Sequence, residues 1–98
     1  MDKFAIWSTM TAKPGKYAEA ERFLIEEALP LIRKEPGTTR FLVMREKPGA
    51  YAIFDTFTDD AAFRAHLDGP VPKLLAERGP ELFEGEPTIL RSDLLASK

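Results

Sequence analysis

The run from Ala50 to His66, Ala-Tyr-Ala-Ile-Phe-Asp-Thr-Phe-Thr-Asp-Asp-Ala-Ala-Phe-Arg-Ala-His, reads as a strand passing directly into a capped helix that carries the only histidine in the chain. Histidine titrates near neutral pH, so His66 is the candidate catalytic residue, as a base or as a hydrogen-bond partner of a substrate. The residues around it are mostly aromatic and aliphatic, Phe54, Phe57 and Phe63 among them. A site there is an apolar pocket with one titratable group, suited to a small hydrophobic substrate and not to a sugar, a phosphate or a nucleic acid.

The same residues have a plainer role. His66 shares a helix face with Ala62 and Phe63, where a lone histidine packs and hydrogen-bonds without catalysing, and the phenylalanines serve as core. Trp7, the single tryptophan, fills core or a dimer interface, because aromatics dominate both. Arg40, Arg45 and Arg91 fall on strands, where an unpaired arginine is costly to bury. Salt bridges to Asp55 or Asp93 across neighbouring strands are expected, with anchoring of a substrate oxygen as the alternative.

Absences narrow the function further. No G-x-G-x-x-G, G-x-x-x-x-G-K-S/T or G-x-S-x-G occurs, so the usual scaffolds for dinucleotides, P-loop phosphate chemistry and serine hydrolysis are missing. One histidine and no cysteine leave no zinc or iron constellation within a subunit, so no metal and no cofactor are expected. A net charge of −2 and a pI near 5.4 argue against a nucleic-acid partner. No apolar run approaches the roughly 18 to 20 residues that span a bilayer. The start, Met1-Asp2-Lys3-Phe4, lacks the features of a secretory signal, and with no cysteine the expected location is cytoplasmic. The 98 residues are expected to form a single domain, 1–98.

Hydrophobic period and punctuation place these residues on elements. Phe4 to Thr11 is a strand with Phe4, Ile6 and Met10 on one face and Ala5, Trp7 and Thr9 on the other. After Lys13-Pro14-Gly15-Lys16, apolar residues recur at helical spacing from Tyr17 to Ile32. Pro30 lies inside that helix, where its ring clashes with the Glu26 carbonyl, so a kink or restart is expected near Leu29. Lys34-Glu35-Pro36-Gly37 ends it. Thr38 to Glu46 and Ala50 to Thr58 are strands joined through Lys47-Pro48-Gly49. Thr58 or Asp59 caps the second helix, which Gly69-Pro70 terminates. A short third helix runs from Pro72 to Arg78, closed by Gly79-Pro80, and the last strand from Thr88 to Ala96.

The order strand, helix, strand, strand, helix, strand is the βαββαβ arrangement of an α+β, ferredoxin-like fold, a four-stranded antiparallel sheet with helices on one face. Most strands carry apolar groups on both faces: Phe41 and Val43 against Leu42 and Met44, Ile53 and Phe57 against Phe54, Ile89 and Leu95 against Leu90 and Leu94. Two helices and a turn cannot cover two faces. The uncovered face is expected to pack on a second copy, giving a homodimer through sheet faces.

Lys13-Pro14-Gly15-Lys16, a helix ending in Arg33-Lys34-Glu35-Pro36-Gly37, a strand finishing near Phe57, and Ala65-His66-Leu67-x-x-Pro70, in that order and spacing, resemble the antibiotic biosynthesis monooxygenase family of dimeric α/β-barrel proteins. The resemblance covers nearly the whole chain and implies the same fold and dimer, with a pocket in each subunit between sheet and helices. Some members oxygenate phenolic or quinol substrates without metal or flavin, relatives degrade haem, and another isomerises a signalling molecule. His66 matches a helix-two histidine of the quinol-oxidising and related members. Where several oxygenating members have tryptophan this chain has Phe57, and where one subgroup uses tyrosine it has Phe63. The haem-degrading pattern of asparagine, tryptophan and histidine reads Trp7, His66 and Ala76 here, which argues against haem; Trp7 at the asparagine position is expected to line the pocket. The resemblance implies a cofactor-independent monooxygenase acting on a small hydrophobic aromatic. The alternatives are a non-catalytic dimer that binds a hydrophobic metabolite and a cofactor-free isomerase.

Overall fold

A computed structural model describes residues 2–98; Met1 lies outside the described residues. The elements run β1 (Phe4–Thr11), α1 (Tyr17–Arg22), a π-helical segment (Phe23–Ala28), α2 (Leu29–Ile32), β2 (Thr38–Lys47), β3 (Ala50–Phe57), α3 (Asp60–Asp68), α4 (Pro70–Leu82) and β4 (Thr88–Asp93). The four strands form one antiparallel sheet in the order β2-β3-β1-β4. This is the expected ferredoxin-like α+β fold.

The helical run from Tyr17 to Ile32 is continuous but changes its winding, and Pro30 marks where. The Leu29 amide donates to the Leu24 carbonyl, five residues back. The next residue has no amide to continue that pattern, and α-type bonding resumes, with the Arg33 amide donating to the Leu29 carbonyl. The expected restart at Leu29 is therefore reached through a widened turn.

Two elements depart from their expected bounds by more than one residue. Helix α4 begins at Pro70 and ends at Leu82, four residues past Arg78. Pro70 and Pro72 are tolerated because amides of a first helical turn have no intrahelical acceptor. The extension past Gly79-Pro80 follows from packing, since Leu82 and the adjoining Phe83 are buried in the core beside Phe23 and Tyr51. Strand β4 stops at Asp93, short of Ala96, because its partner runs out: Asp93 pairs with Phe4, the first residue of β1. The cap of α3 is Asp59, whose Oδ1 accepts from the Ala62 amide at 2.8 Å. In the β2–β3 turn, Gly49 at φ +83° takes the left-handed position after Pro48.

Strand parity divides the sheet. Ile6, Met10, Phe41 and Ile53 face the helices. On the opposite face, the ladder places Leu42 beside Phe54, Phe54 beside Trp7, and Trp7 beside Leu90. That row crosses all four strands, and Trp7, Leu42 and Leu90 stay 39%, 47% and 59% exposed. None of the described helices is long and apolar enough to cross a membrane.

The loop between α2 and β2 approaches α3 closely at Gly37, where a Cβ would overlap the Ala62 side chain. The Thr58 amide also donates to the Gly37 carbonyl at 3.1 Å. Gly37→Ala should cost about 1–3 kcal/mol as an overpacked contact, read as a thermal midpoint lower by roughly 5 °C or more.

Candidate active site

Between the helices and the inner sheet face lies a cavity of about 180 Å³. Its walls are mostly aliphatic and aromatic, with Phe23, Phe41, Ile53, Phe63, Leu67 and Leu75 prominent. The polar side chains reaching it are Ser8 from β1, Asp55 from β3 and His66 from α3. A cavity of about 150 Å³ holds benzene, so this one is of aromatic-ring size.

His66 enters from the last turns of α3, and its ring is held rather than free. Nδ1 lies 2.9 Å from Glu35 Oε1, and the two side chains are 14% and 16% exposed. The Thr38 hydroxyl donates to the same oxygen at 2.8 Å. With Glu35 ionised, Nδ1 donates to it, and in the neutral ring Nε2 is then the accepting nitrogen. No hydrogen bond to Nε2 forms among the described residues. Phe57 is fully buried behind the imidazole, their ring centroids 5.2 Å apart, and Phe63 meets Phe57 edge to face at 5.5 Å. The histidine is thus wedged in one orientation by a carboxylate on one side and aromatic rings on another.

Asp55 is 3% exposed, and its Oδ1 is buried without a hydrogen-bond partner among the described residues. Burial pushes its carboxyl up to about 6; the charged form of His66 opposes that rise and the Glu35 charge reinforces it. The expected salt bridges to Asp55 and Asp93 do not form among the described residues. Arg45 pairs instead with Glu21, which also accepts from the Tyr51 hydroxyl at 2.7 Å. Arg91 pairs with Asp60 and is stacked against the rings of Phe4 and Phe63. Both arginines find carboxylates on helices, closer to solvent than the strand position of Asp55.

Of the residues singled out from sequence, His66 and Phe63 line the cavity and Phe57 backs it. Trp7 and Phe54 do not reach it. They lie on the opposite sheet face, 6.1 Å apart between ring centroids, because Ile6 and Ser8 on β1, and Ile53 and Asp55 on β3, take the inward positions. The expectation that Trp7 lines the pocket followed the resemblance against the strand's own alternation, and the alternation decides it. Glu35 and Asp55 were missed. Asp55 had a visible signal, an acidic residue in phase with Ile53 and Phe57 on the core side of its strand. Glu35 had none, since a loop glutamate 31 positions from His66 looks like punctuation until the chain folds. Among the described residues, no three His, Cys, Asp or Glu side chains are grouped to hold a metal ion.

Comparison with known proteins gives one family and many similar folds. The profile of the antibiotic biosynthesis monooxygenase family matches residues 4–78. A solved protein of unknown function from Nitrosomonas europaea is 37% identical with a TM-score of 0.94, over 100% of this chain and 94% of the other. A Pseudomonas aeruginosa structure is 22% identical with a TM-score of 0.81, over 98% and 97% of the two chains. A Caulobacter crescentus protein, provisionally named an antibiotic biosynthesis monooxygenase, is 23% identical with a TM-score of 0.79, over 97% and 92%. No curated protein matches.

The raised Asp55 value has a stability consequence. Between the ordinary carboxylate value of 3.8 and about 6, the folded state holds a proton that the unfolded state releases, so stability falls as pH rises through that window. At about 1.4 kcal/mol per pKa unit, the wild type should lose roughly 2–3 kcal/mol relative to Asp55→Asn between about pH 4 and pH 7. Urea unfolding of both proteins across that range checks it.

Proposed function

The chain belongs to the antibiotic biosynthesis monooxygenase family, and from that premise we propose that it is a cytoplasmic, cofactor-independent monooxygenase acting on a small hydrophobic aromatic, a quinol or phenol. The observation that carries this reading is a histidine whose Nδ1 is fixed by Glu35 while its ring borders an apolar cavity of aromatic size.

In this mechanism the substrate ring lies between Phe63 and the aliphatic walls, with its hydroxyl at His66 Nε2. His66 accepts the phenolic proton, and Glu35 balances the charge that develops on the imidazole. The phenolate, more electron-rich than the phenol, passes one electron to dioxygen. The radical pair, caged by walls that exclude water, recombines at a ring carbon that still bears hydrogen. The ring carbon then becomes a carbonyl, and the outer oxygen leaves as water. The sum is ArH(OH) + O₂ → quinone + H₂O, with all four electrons taken by oxygen coming from the substrate, so no external reductant is needed.

The row of Leu42, Phe54, Trp7 and Leu90, with Phe54 half-buried and the other three exposed, supports the other part of the reading, a homodimer joined through these faces. A continuous apolar stripe across a whole sheet is unfavourable in water, and a second copy supplies the same stripe in return. Trp7→Asp should shift the protein from dimer to monomer by light scattering at micromolar concentration, with far-UV circular dichroism unchanged. A wild-type monomer under those conditions ends the dimer reading.

Oxygen consumption against a panel of hydroquinones and naphthoquinols tests the chemistry. His66→Ala should lower turnover about 10²-fold or more, the usual contribution of a general base, and Glu35→Gln by a smaller factor because it removes only the orienting charge. Unchanged turnover in His66→Ala would show that the base is wrongly assigned. Saturable binding with no uptake from any substrate would make the protein a ligand carrier.

A further inference from the structure

Asp55 is the second group at this cavity that the fold places at a cost. It stands on the central strand β3, opposite Ile6 of β1 and Phe41 of β2, and both of these neighbours are apolar. Its Oδ1 is buried and has no hydrogen-bond partner among the described residues. A carboxyl in that setting is destabilising unless something completes it. The charged and titratable groups that face it are His66 from α3 and Glu35 from the loop before β2. Glu35 is engaged with His66 and Thr38. Two strand arginines are committed elsewhere, Arg45 to Glu21 and Arg91 to Asp60. Ser8, the remaining polar side chain at the cavity, does not titrate. No arginine or lysine pairs with Asp55 among the described residues, the charged form of His66 is the one charge that favours its anion, and Asp55 is one of the residues bordering a space sized for a ligand.

We propose that Asp55, as a neutral carboxylic acid, is the proton donor of the cavity and gives its hydrogen to an oxygen atom of the bound molecule. The ligand class is thereby narrowed to flat apolar molecules that bear an acceptor oxygen as well as, or in place of, the hydroxyl that meets His66. The division of labour is between two proton carriers: His66, backed by an anion, takes a proton, and Asp55, backed by hydrocarbon, gives one.

The inference rests on the oxygenase reading only for its role in turnover. There the peroxide formed on the ring carbon ends in an anionic outer oxygen, and that oxygen takes the Asp55 proton. The carbon–hydrogen bond then breaks, its electron pair forms the new carbonyl and its proton returns to the Asp55 carboxylate. The oxygen–oxygen bond breaks in the same event, and the departing hydroxide takes from His66 the proton that came from the phenol. Water leaves, and both side chains end as they began.

The test is calorimetric titration with 1,4-naphthoquinone, which offers only acceptor oxygens, at several pH values between about 5 and 8. The proteins compared are the wild type, Asp55→Asn and His66→Gln. Wild-type affinity should fall about tenfold or more as pH rises through about 6, where the acid loses its hydrogen. Asp55→Asn keeps a donor at every pH, so its affinity should be level across the range. His66→Gln should keep the wild-type slope, which separates the Asp55 titration from that of the histidine. No binding at any pH, a level wild-type affinity, or a slope that survives in Asp55→Asn overturns the proposal. A second readout, hydrogen peroxide released per oxygen consumed with a quinol substrate, should rise at least severalfold in Asp55→Asn at whatever rate of uptake remains. Absence of uptake in the wild type would defeat the oxygenase reading alone and leave the binding result to decide the role of Asp55.

Discussion

The hydrogen bond between His66 Nδ1 and Glu35 Oε1 at 2.9 Å is the contact on which the rest of the site depends. It joins two parts of the chain that share no secondary structure, the C-terminal end of α3 and the loop that follows α2. The join is possible only because the loop can press against α3 at Gly37, where any side chain would meet Ala62. Thr38 then locks the same glutamate oxygen from the start of β2. The E-P-G sequence that reads as a helix terminator is thus also the device that delivers a carboxylate to the histidine. A buried carboxylate is costly by itself, and a buried histidine is ambiguous by itself. Placed together each offsets part of the other's cost: the ring acquires one tautomer and Glu35 Oε1 acquires partners, while Oε2 stays buried without one among the described residues.

How far the sequence reveals this arrangement depends on the range of the interaction. Period and punctuation operate over a few residues, and they gave the element order, the strand β1 from Phe4 to Thr11, the Asp59 cap and the ferredoxin-like topology. Parity gives the face of each strand residue with equal directness, and Trp7 shows the risk of overriding it. Its neighbours Ile6 and Met10 belong to the inner face, so Trp7 cannot. Asp55 was legible by the same logic, an acid in phase with Ile53 and Phe57. What no local rule supplies is the pairing of Glu35 with His66, or the continuation of α4 through Gly79-Pro80 to bury Leu82. Both are decided by which surfaces meet after the sheet has formed, where tertiary packing overrides local preference.

The helical run from Tyr17 to Ile32 illustrates how a local irregularity serves the cavity. A regular α-helix would carry Pro30 with its ring against the Glu26 carbonyl. The π-helical segment avoids that, and its first and last residues, Phe23 and Ala28, both face the cavity. An extra residue per turn displaces the surrounding side chains along the helix, and single-turn π segments are frequent beside functional sites for that reason. The proline confines the widening to the stretch that borders the pocket.

The two faces of the sheet present one chemical problem with two solutions. Both are apolar, and neither can be left in water without cost. The outer face has a row of side chains level with one another across four strands, a shape that another flat apolar surface can cover. The inner face is covered by helices, yet a space remains among Phe63, Leu67 and Leu75 whose polar lining side chains, among the described residues, are Ser8, Asp55 and His66. If that space were only a packing defect, hydrocarbon at position 55 would be the more stable choice, since a buried acid with an unpartnered oxygen weakens the fold at neutral pH. Retaining an acid there, opposite a histidine already oriented by a second acid, sacrifices stability for two proton-carrying groups of opposite tendency around one apolar volume. That is the arrangement expected of a site that handles a hydrophobic molecule at its oxygens, and the aromatic walls set which molecules those are.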